Sequence, residues 1–138
     1  MTHQEKAKMK LKLIQTGPRS VEVVSDRWKF LVDLKEEYGG KDEGPNPSEL
    51  TAAAVASCEM LTGIFWASRR HGVELENLEA EVEWEYGTKP DRITRFDVKI
   101  RGVKDQLGDK TRAFAAMAKA CTVSKTFAMP PEMTLEVE

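Results

Sequence analysis

Two cysteines, Cys58 and Cys121, carry the side chains of this chain best suited to covalent chemistry, and they lie 63 positions apart. A thiolate is a nucleophile that can be oxidised and reduced, whereas a buried thiol often serves only as a small apolar side chain. The segment MTHQEKAKMK has no apolar stretch like that of a signal peptide, so we expect a cytoplasmic protein. Thiols stay reduced there, which favours free or redox-active cysteines. Two inert core cysteines or a structural disulfide also fit the composition.

Cys58 lies in a segment that the sequence predicts to be a helix from about Pro47 to His71. Asn46 suits the cap of the first turn, and Gly72 suits the position after the last turn. At about 100° per residue, one face of this helix is apolar and Cys58 lies at its edge. The members of that face are Leu50, Ala54, Leu61, Ile64 and Phe65. Alanines around Cys58 would let another backbone or subunit approach closely and wall in the thiol.

Cys121 belongs to a second predicted helix, from Asp109 to about Phe127. Apolar residues recur there at spacings of three, four and three, namely Phe114, Met117, Ala118 and Cys121. The thiol is therefore expected to face the core. Two apolar helix faces in one small domain should meet, which would bring the two cysteines together.

The remaining apolar residues alternate with polar ones and predict strands. Three strands precede the first helix, two follow it, and one ends the chain, so the predicted order is β-β-β-α-β-β-α-β in a single α+β domain over residues 1–138. The predicted strands are centred on Met9 to Leu13, Val21 to Val24, Trp28 to Leu34, Leu78 to Tyr86, Thr94 to Ile100 and Met133 to Val137.

Charge and composition argue against several partners. The net charge of -2, with 32% charged residues, leaves no basic surplus for nucleic acid. No run approaches about 18 consecutive apolar residues, so no membrane span is expected. His3 lies near the start and His71 at a helix end, and with two cysteines they form no recognisable metal-ligand spacing. We therefore expect no metal and no organic cofactor.

Two sequence motifs are familiar. GPNPSELTAAAVASCEML resembles the first cysteine motif of the osmotically inducible protein C and organic hydroperoxide resistance family (OsmC/Ohr), and CTVSKTF resembles the second. The spacing of the motifs and the order of the elements are similar as well. This resemblance implies the OsmC-like fold, an intertwined homodimer with a long central helix carrying the first cysteine.

The resemblance also implies a chemistry. Cys58 would be the peroxidatic residue, which reduces an organic hydroperoxide and becomes a sulfenic acid, and Cys121 the resolving residue, which closes a disulfide with it. An external dithiol, in the family a lipoyl-type one, would reset the pair. The alternative is an OsmC-like redox sensor or small-ligand-binding protein with little peroxidase activity.

A peroxidatic thiolate needs a stabilising cation, and the family resemblance points to an arginine. The turn Thr16-Gly17-Pro18-Arg19 looks like the T-G-G-R-like turn that supplies it, so Arg19 is the first candidate. Arg27 is the alternative, since related branches take the arginine from further along the N-terminal sheet. Either residue could also be an ordinary solvated surface arginine.

Glu49 has two interpretations. It stands three residues after Asn46, where a glutamate closes a capping box. The resemblance instead makes it the carboxylate that orients the arginine. Because it precedes Cys58 by 9 positions, about 180° around a helix, the two residues point to opposite sides of one helix. A site assembled between two subunits would remove this difficulty, which again favours a homodimer.

Two residues depart from the family pattern. Glu59 follows Cys58 where an apolar or small residue is expected, and a nearby carboxylate disfavours a thiolate. Thr122 stands where many relatives have proline. We expect these changes to affect the reaction rate more than the fold.

Overall fold

The computed structural model describes residues 8–138. They divide into two compact units, a first that ends at Leu50 and a second from Thr51 to Glu138. The elements mix helices and strands, as the predicted α+β class requires. In chain order they are β1 Lys12–Gly17, β2 Ser20–Val24, β3 Lys29–Asp33, α1 Pro47–His71, β4 Glu79–Gly87, β5 Arg92–Arg101, α2 Lys104–Leu107, α3 Thr111–Lys119 and α4 Thr122–Ala128.

The first unit is an antiparallel meander of β1, β2 and β3, which confirms the three predicted opening strands. The first of them begins at Lys12, later than the alternation from Met9 suggests. The carboxylate of Asp33 is buried and accepts the backbone N–H groups of Leu34, Lys41 and Glu43 at 2.8, 3.3 and 3.2 Å. This side chain therefore organises the loop that follows the meander.

Helix α1 has the predicted bounds, because both of its ends are set by local interactions. The Asn46 N–H donates to Glu49 Oε1 and the Glu49 N–H donates to Asn46 Oδ1, both at 2.9 Å, which is a complete capping box. At the other end Gly72 adopts φ +65° and its N–H donates to the Ser68 carbonyl at 3.0 Å.

The buried face of α1 is not the predicted one. Leu61 and Phe65 are 62% and 64% exposed. The buried residues are small: Ala52, Val55, Ala56, Gly63 and Ala67. The reason is the ring of Phe114, which comes so close to Gly63 that only a residue without Cβ fits.

The rest of the second unit covers this small-residue face. Strands β4 and β5 form an antiparallel hairpin in which the glutamates of β4 are exposed and the apolar residues between them are half-buried, as predicted, up to the bulge at Tyr86. The core is formed by Ala67, Val103, Leu107, Phe114 and Ala118.

Two predicted elements differ in the structure. The single helix from Asp109 to Phe127 is divided into α3 and α4, and Cys121 has an extended backbone (φ -69°, ψ 157°) as the N-cap of α4. The predicted last strand is wrong: residues 130–138 form no strand, and the apolar side chains of Met133, Leu135 and Val137 are exposed. A strand needs a neighbour for its backbone hydrogen bonds, and alternation alone does not supply one.

Helix α1 is apolar enough to cross a membrane by length and composition, with a mean hydropathy of 1.4 over 18 residues. The search for long runs of apolar residues did not detect this helix, because Ala, Gly and Ser interrupt its large apolar residues without adding charge. The core helix of a soluble protein passes the same test, so this observation alone is weak evidence for a membrane span. Only 28% of that window is buried within the chain, which leaves much apolar surface uncovered.

Candidate functional site

The two cysteines meet in the second unit. Cys58 lies on α1 and is half-buried, whereas Cys121 is 1% exposed at the start of α4. The thiol of Cys121 hydrogen-bonds the sulfur of Cys58, and no disulfide joins them. The thiols therefore lie within reach of each other without a rearrangement of the helices.

The sulfur of Cys58 lies against the first turn of α4. Burial raises its pKa, but four hydrogen bonds outweigh that effect and leave the pKa below the ordinary value. In order of strength, the donors are the Val123 N–H, the Cys121 thiol, the Thr62 hydroxyl and the Thr122 N–H. Hydrogen bonds to a thiolate favour the charged form, so Cys58 is more readily ionised than a free cysteine.

Thr122 has a use that the sequence comparison with proline-bearing relatives does not suggest. Its backbone N–H is one of the donors to Cys58. Proline at this position would have no N–H to donate. The departure from the family pattern therefore adds to the stabilisation of the thiolate.

Cys121 is held by the third residue of its own helix. The Ser124 N–H donates to Cys121 Sγ at 3.4 Å, which makes the cysteine a side-chain cap, and Cys121 Sγ donates to Ser124 Oγ at 3.2 Å. The buried thiol thus has two possible acceptors for its proton, the sulfur of Cys58 and the hydroxyl of Ser124.

Glu59 is directed to α4 and the end of α3. Burial raises the pKa of its carboxyl group, while a hydrogen bond from Ser124 and the charge of Lys119 partly offset the increase. Its negative charge therefore has partners of its own, so the expected conflict with a Cys58 thiolate is reduced.

The exposed side of Cys58 opens onto an apolar hollow of about 630 Å³. Its lining residues are Cys58, Leu61, Thr62, Ile64, Phe65, Ser68 and Glu74. A small organic molecule can approach the sulfur from this side.

The other predicted site residues lie in the first unit. Arg19 extends across Gly39 and donates from Nη1 to the Pro18 carbonyl at 2.9 Å. Arg27 is exposed and pairs with Asp26 at 3.7 Å. Glu49 closes the capping box of α1. That an arginine contacts the thiol, and that Glu49 orients it, stay predictions.

No group of three or more His, Cys, Asp and Glu side chains within residues 8–138 is arranged as a metal site. His71 packs edge-on against Trp66, with ring centroids 4.9 Å apart, and His3 lies outside the described residues.

Sequence reasoning missed two side chains and the backbone donors of the site. Thr62 follows Cys58 by four positions on a helix and Ser124 follows Cys121 by three, so both spacings were visible signals. The N–H groups of Thr122 and Val123 carry no side-chain signal, and only the break before α4 reveals them.

Comparison with known proteins supports the family resemblance of the two cysteine motifs. A family model described as OsmC-like protein matches residues 40–136, which contain α1 and both cysteines. The chain belongs to the OsmC family. No curated protein matches this OsmC-family chain at a significant level.

Solved structures share the fold of this OsmC-family protein at low sequence identity. A candidate osmotic-stress-induced and detoxification response protein of Psychrobacter arcticus 273-4 is 22% identical, with a TM-score of 0.77 over 88% of this chain and 89% of that one. An organic hydroperoxide resistance protein of Legionella pneumophila is 22% identical, with a TM-score of 0.59 over 88% and 91%. One from Elizabethkingia anophelis is 19% identical, with a TM-score of 0.60 over 88% and 89%.

Proposed function

We propose that this OsmC-family protein is a thiol-dependent peroxidase that reduces organic hydroperoxides in the cytoplasm. The observation that carries the proposal is the hydrogen-bonded contact between Cys58, whose pKa is lowered, and the buried Cys121. Structural relatives named organic hydroperoxide resistance proteins support the same reaction class.

In the first step the Cys58 thiolate attacks the distal oxygen of the hydroperoxide. A sulfur–oxygen bond forms, the O–O bond breaks, and the alkoxide leaves as an alcohol after taking a proton. Cys58 is left as a sulfenic acid. The apolar hollow beside the sulfur suits the organic part of such a substrate.

In the second step Cys121 attacks the oxidised sulfur of Cys58. The S–S bond forms, the S–O bond breaks, and water leaves. The contact between the two sulfur atoms means that little movement is needed. An external dithiol of the lipoyl type then reduces the disulfide by thiol–disulfide exchange. The proposed cycle uses these sulfur atoms and no metal or organic cofactor.

An arginine is expected to complete the site. Arg19 is the first candidate and Arg27 the alternative, with Glu49 as the carboxylate that orients it. We propose that these residues are contributed across a homodimer interface. One observation favours Arg19 over Arg27: the side chain of Arg27 is exposed and already paired with Asp26.

The homodimer has support in the uncovered apolar surface of the second unit. Leu61 and Phe65 lie beside Cys58 and are largely exposed, and the alternating apolar residues of the segment 130–138 lack a neighbouring strand in the described chain. A second copy would cover both features.

Light scattering coupled to size exclusion should give twice the 15.5 kDa chain mass, and Leu61→Glu with Phe65→Glu should reduce it to one chain. A stable wild-type monomer would contradict the dimer, and binding to neutral lipid vesicles would indicate a membrane surface instead.

The peroxidase is tested by intact mass and free-thiol analysis after brief exposure of the reduced protein to one equivalent of cumene hydroperoxide. We expect rapid loss of both thiols in the wild type, a trapped sulfenic acid in Cys121→Ser and no reaction in Cys58→Ser. Survival of both thiols in the wild type would overturn the proposal. It would then favour the alternative, a redox sensor or ligand-binding protein that uses the same apolar hollow.

A further inference from the structure

The buried position of Cys121 raises a question about its proton. Only 1% of this residue is exposed, so water does not reach the thiol directly. The attacking species in disulfide formation is the thiolate, so the S–H proton must first pass to a group of the protein. In the reduced protein two acceptors lie within hydrogen-bonding reach of this proton, the sulfur of Cys58 and the hydroxyl of Ser124.

Oxidation of Cys58 removes one of those acceptors. A sulfenic acid carries no negative charge on sulfur, so it attracts the Cys121 proton far less than the thiolate does. The Ser124 Oγ, at 3.2 Å, then becomes the better acceptor. A serine hydroxyl can accept one hydrogen bond and donate another at the same time.

The next group along this path is Glu59. The hydroxyl of Ser124 hydrogen-bonds the carboxylate of Glu59, which completes the series S–H to O–H to carboxylate. The carboxylate is half-buried and lines a cavity of about 470 Å³, together with Asp97 from β5 and Lys119 from α3. The cavity provides a route by which a proton on Glu59 can reach water.

We propose that Ser124 and Glu59 form a proton relay that deprotonates Cys121 as it attacks Cys58. This inference rests on the proposed function, in which Cys121 resolves an oxidised Cys58. The Cys121 proton moves to Ser124 Oγ while the Ser124 hydroxyl proton moves to Glu59. The S–S bond forms, the S–O bond of the sulfenic acid breaks, and the leaving hydroxide takes a proton from water at the open side of Cys58. Glu59 then releases its proton through the cavity, so one water is the net product.

The surroundings of Glu59 fit this role. Burial raises the pKa of its carboxyl group towards the operating pH, which makes it a better proton acceptor than an exposed glutamate. Lys119 and the Ser124 hydroxyl partly offset this increase, which favours the ionised form that accepts a proton. The facing charged groups are Lys119 and Asp97, and neither lies between Ser124 and Glu59 in the hydrogen-bonded series.

The test measures the attack of Cys121 without peroxide. The full-length reduced protein is mixed with 4,4′-dithiodipyridine, and released thiopyridone is followed by stopped-flow absorbance. Cys58, the more exposed thiol, releases the first equivalent, and the attack of Cys121 on the resulting mixed disulfide releases the second.

We expect Glu59→Gln and Ser124→Ala to slow the second release roughly 10²-fold, at the lower end of the range for a positioned proton acceptor. Ser124→Thr, which keeps the hydroxyl, should restore it, and Glu83→Gln, an exposed glutamate on β4, is the matched control.

The pH profile separates a relay from a merely structural contact. In the wild type the second release should fall as pH decreases through the pKa of Glu59, because a protonated carboxyl cannot accept the proton. In Glu59→Gln that step should vanish, and the rate should instead rise with pH throughout, because hydroxide must remove the proton. A Glu59→Gln variant with the wild-type rate and profile would overturn the relay. Because the assay needs no hydroperoxide, an inactive peroxidase with an intact second release would instead contradict only the proposed function.

Discussion

The backbone N–H of Thr122 donates a hydrogen bond to the sulfur of Cys58, from the first turn of a helix whose cap is the other cysteine. Helix N-termini carry unpaired N–H groups and a partial positive charge, so a thiolate placed there is stabilised. This part of the stabilisation comes from the backbone, and it is available only because α3 and α4 are separated just before Cys121.

Replacing Thr122 by proline should weaken this interaction while leaving the fold intact. Proline is favoured at the first position of a helix, and Cys121 before it already has the extended backbone that proline requires. The variant loses one donor to Cys58, so the pKa of the thiol should rise and alkylation by iodoacetamide at pH 7 should slow roughly two- to tenfold. Thr122→Ala keeps the N–H and should react like the wild type. Equal rates for Thr122→Pro and Thr122→Ala would contradict the contact.

The hydroxyl of Thr62 should contribute to the same shift. Thr62→Val removes the donor to Cys58 at nearly constant volume, so the pKa of Cys58 should rise. Wild-type alkylation should persist to pH values below the range of a free thiol, and its pH profile should move upwards in the variant. Thr62→Ser, which retains a hydroxyl, serves as the control. A profile unchanged in Thr62→Val would show that the backbone donors suffice.

Gly63→Ala should destabilise the protein, although alanine is the better helix former by about 1 kcal/mol. A Cβ at this position would clash with the ring of Phe114, which is itself buried in the core. We expect a loss of roughly 1–3 kcal/mol in the free energy of unfolding, measured by urea denaturation. Because the two residues touch, Phe114→Leu should lower the free energy of unfolding less in the Gly63→Ala variant than in the wild type. Equal losses in the two backgrounds would contradict the contact. Ser57→Ala, at an exposed position of the same helix, should change stability by about 0.5 kcal/mol at most.

Asp33→Ala should weaken the first unit. The buried carboxylate accepts three backbone N–H groups, from Leu34, Lys41 and Glu43, and its removal leaves them without that acceptor. Each unsatisfied buried donor costs roughly 1–3 kcal/mol, so thermal unfolding should occur at a clearly lower temperature. Amide hydrogen exchange at Lys41 and Glu43 should accelerate as well. Asp26→Asn, on an exposed side chain, is the control, and an equal effect of both changes would contradict this role.

Much of the fold was predictable because it depends on interactions over a few residues. The ends of α1 follow from Asn46 with Glu49 and from Gly72, and each of these contacts spans at most four positions. The exposed and half-buried faces of β4 follow from the alternation of polar and apolar residues along the strand. The cysteines were recognised by their chemistry and by the motifs around them, and the structure then brought them into contact.

The buried face of α1 could not be predicted from periodicity. Large apolar residues suggested the face with Leu61 and Phe65, yet the chain buries the small residues because Phe114 needs space at Gly63. Periodicity reports which residues share a face, whereas the choice between two apolar faces depends on the shape of what packs there.

By itself, the sequence determined the bounds of α1, the five strands of the meander and the hairpin, and the identity of the two thiols, because caps, alternation and motifs act locally. Only the tertiary structure decided how the thiols are tuned. The break before Cys121 turned a helix start towards Cys58, and the same turn placed Ser124 against Glu59. These contacts join residues far apart in the chain, and half of the donors are backbone N–H groups that every residue except proline carries. Their effect depends on position and packing, which no residue type specifies.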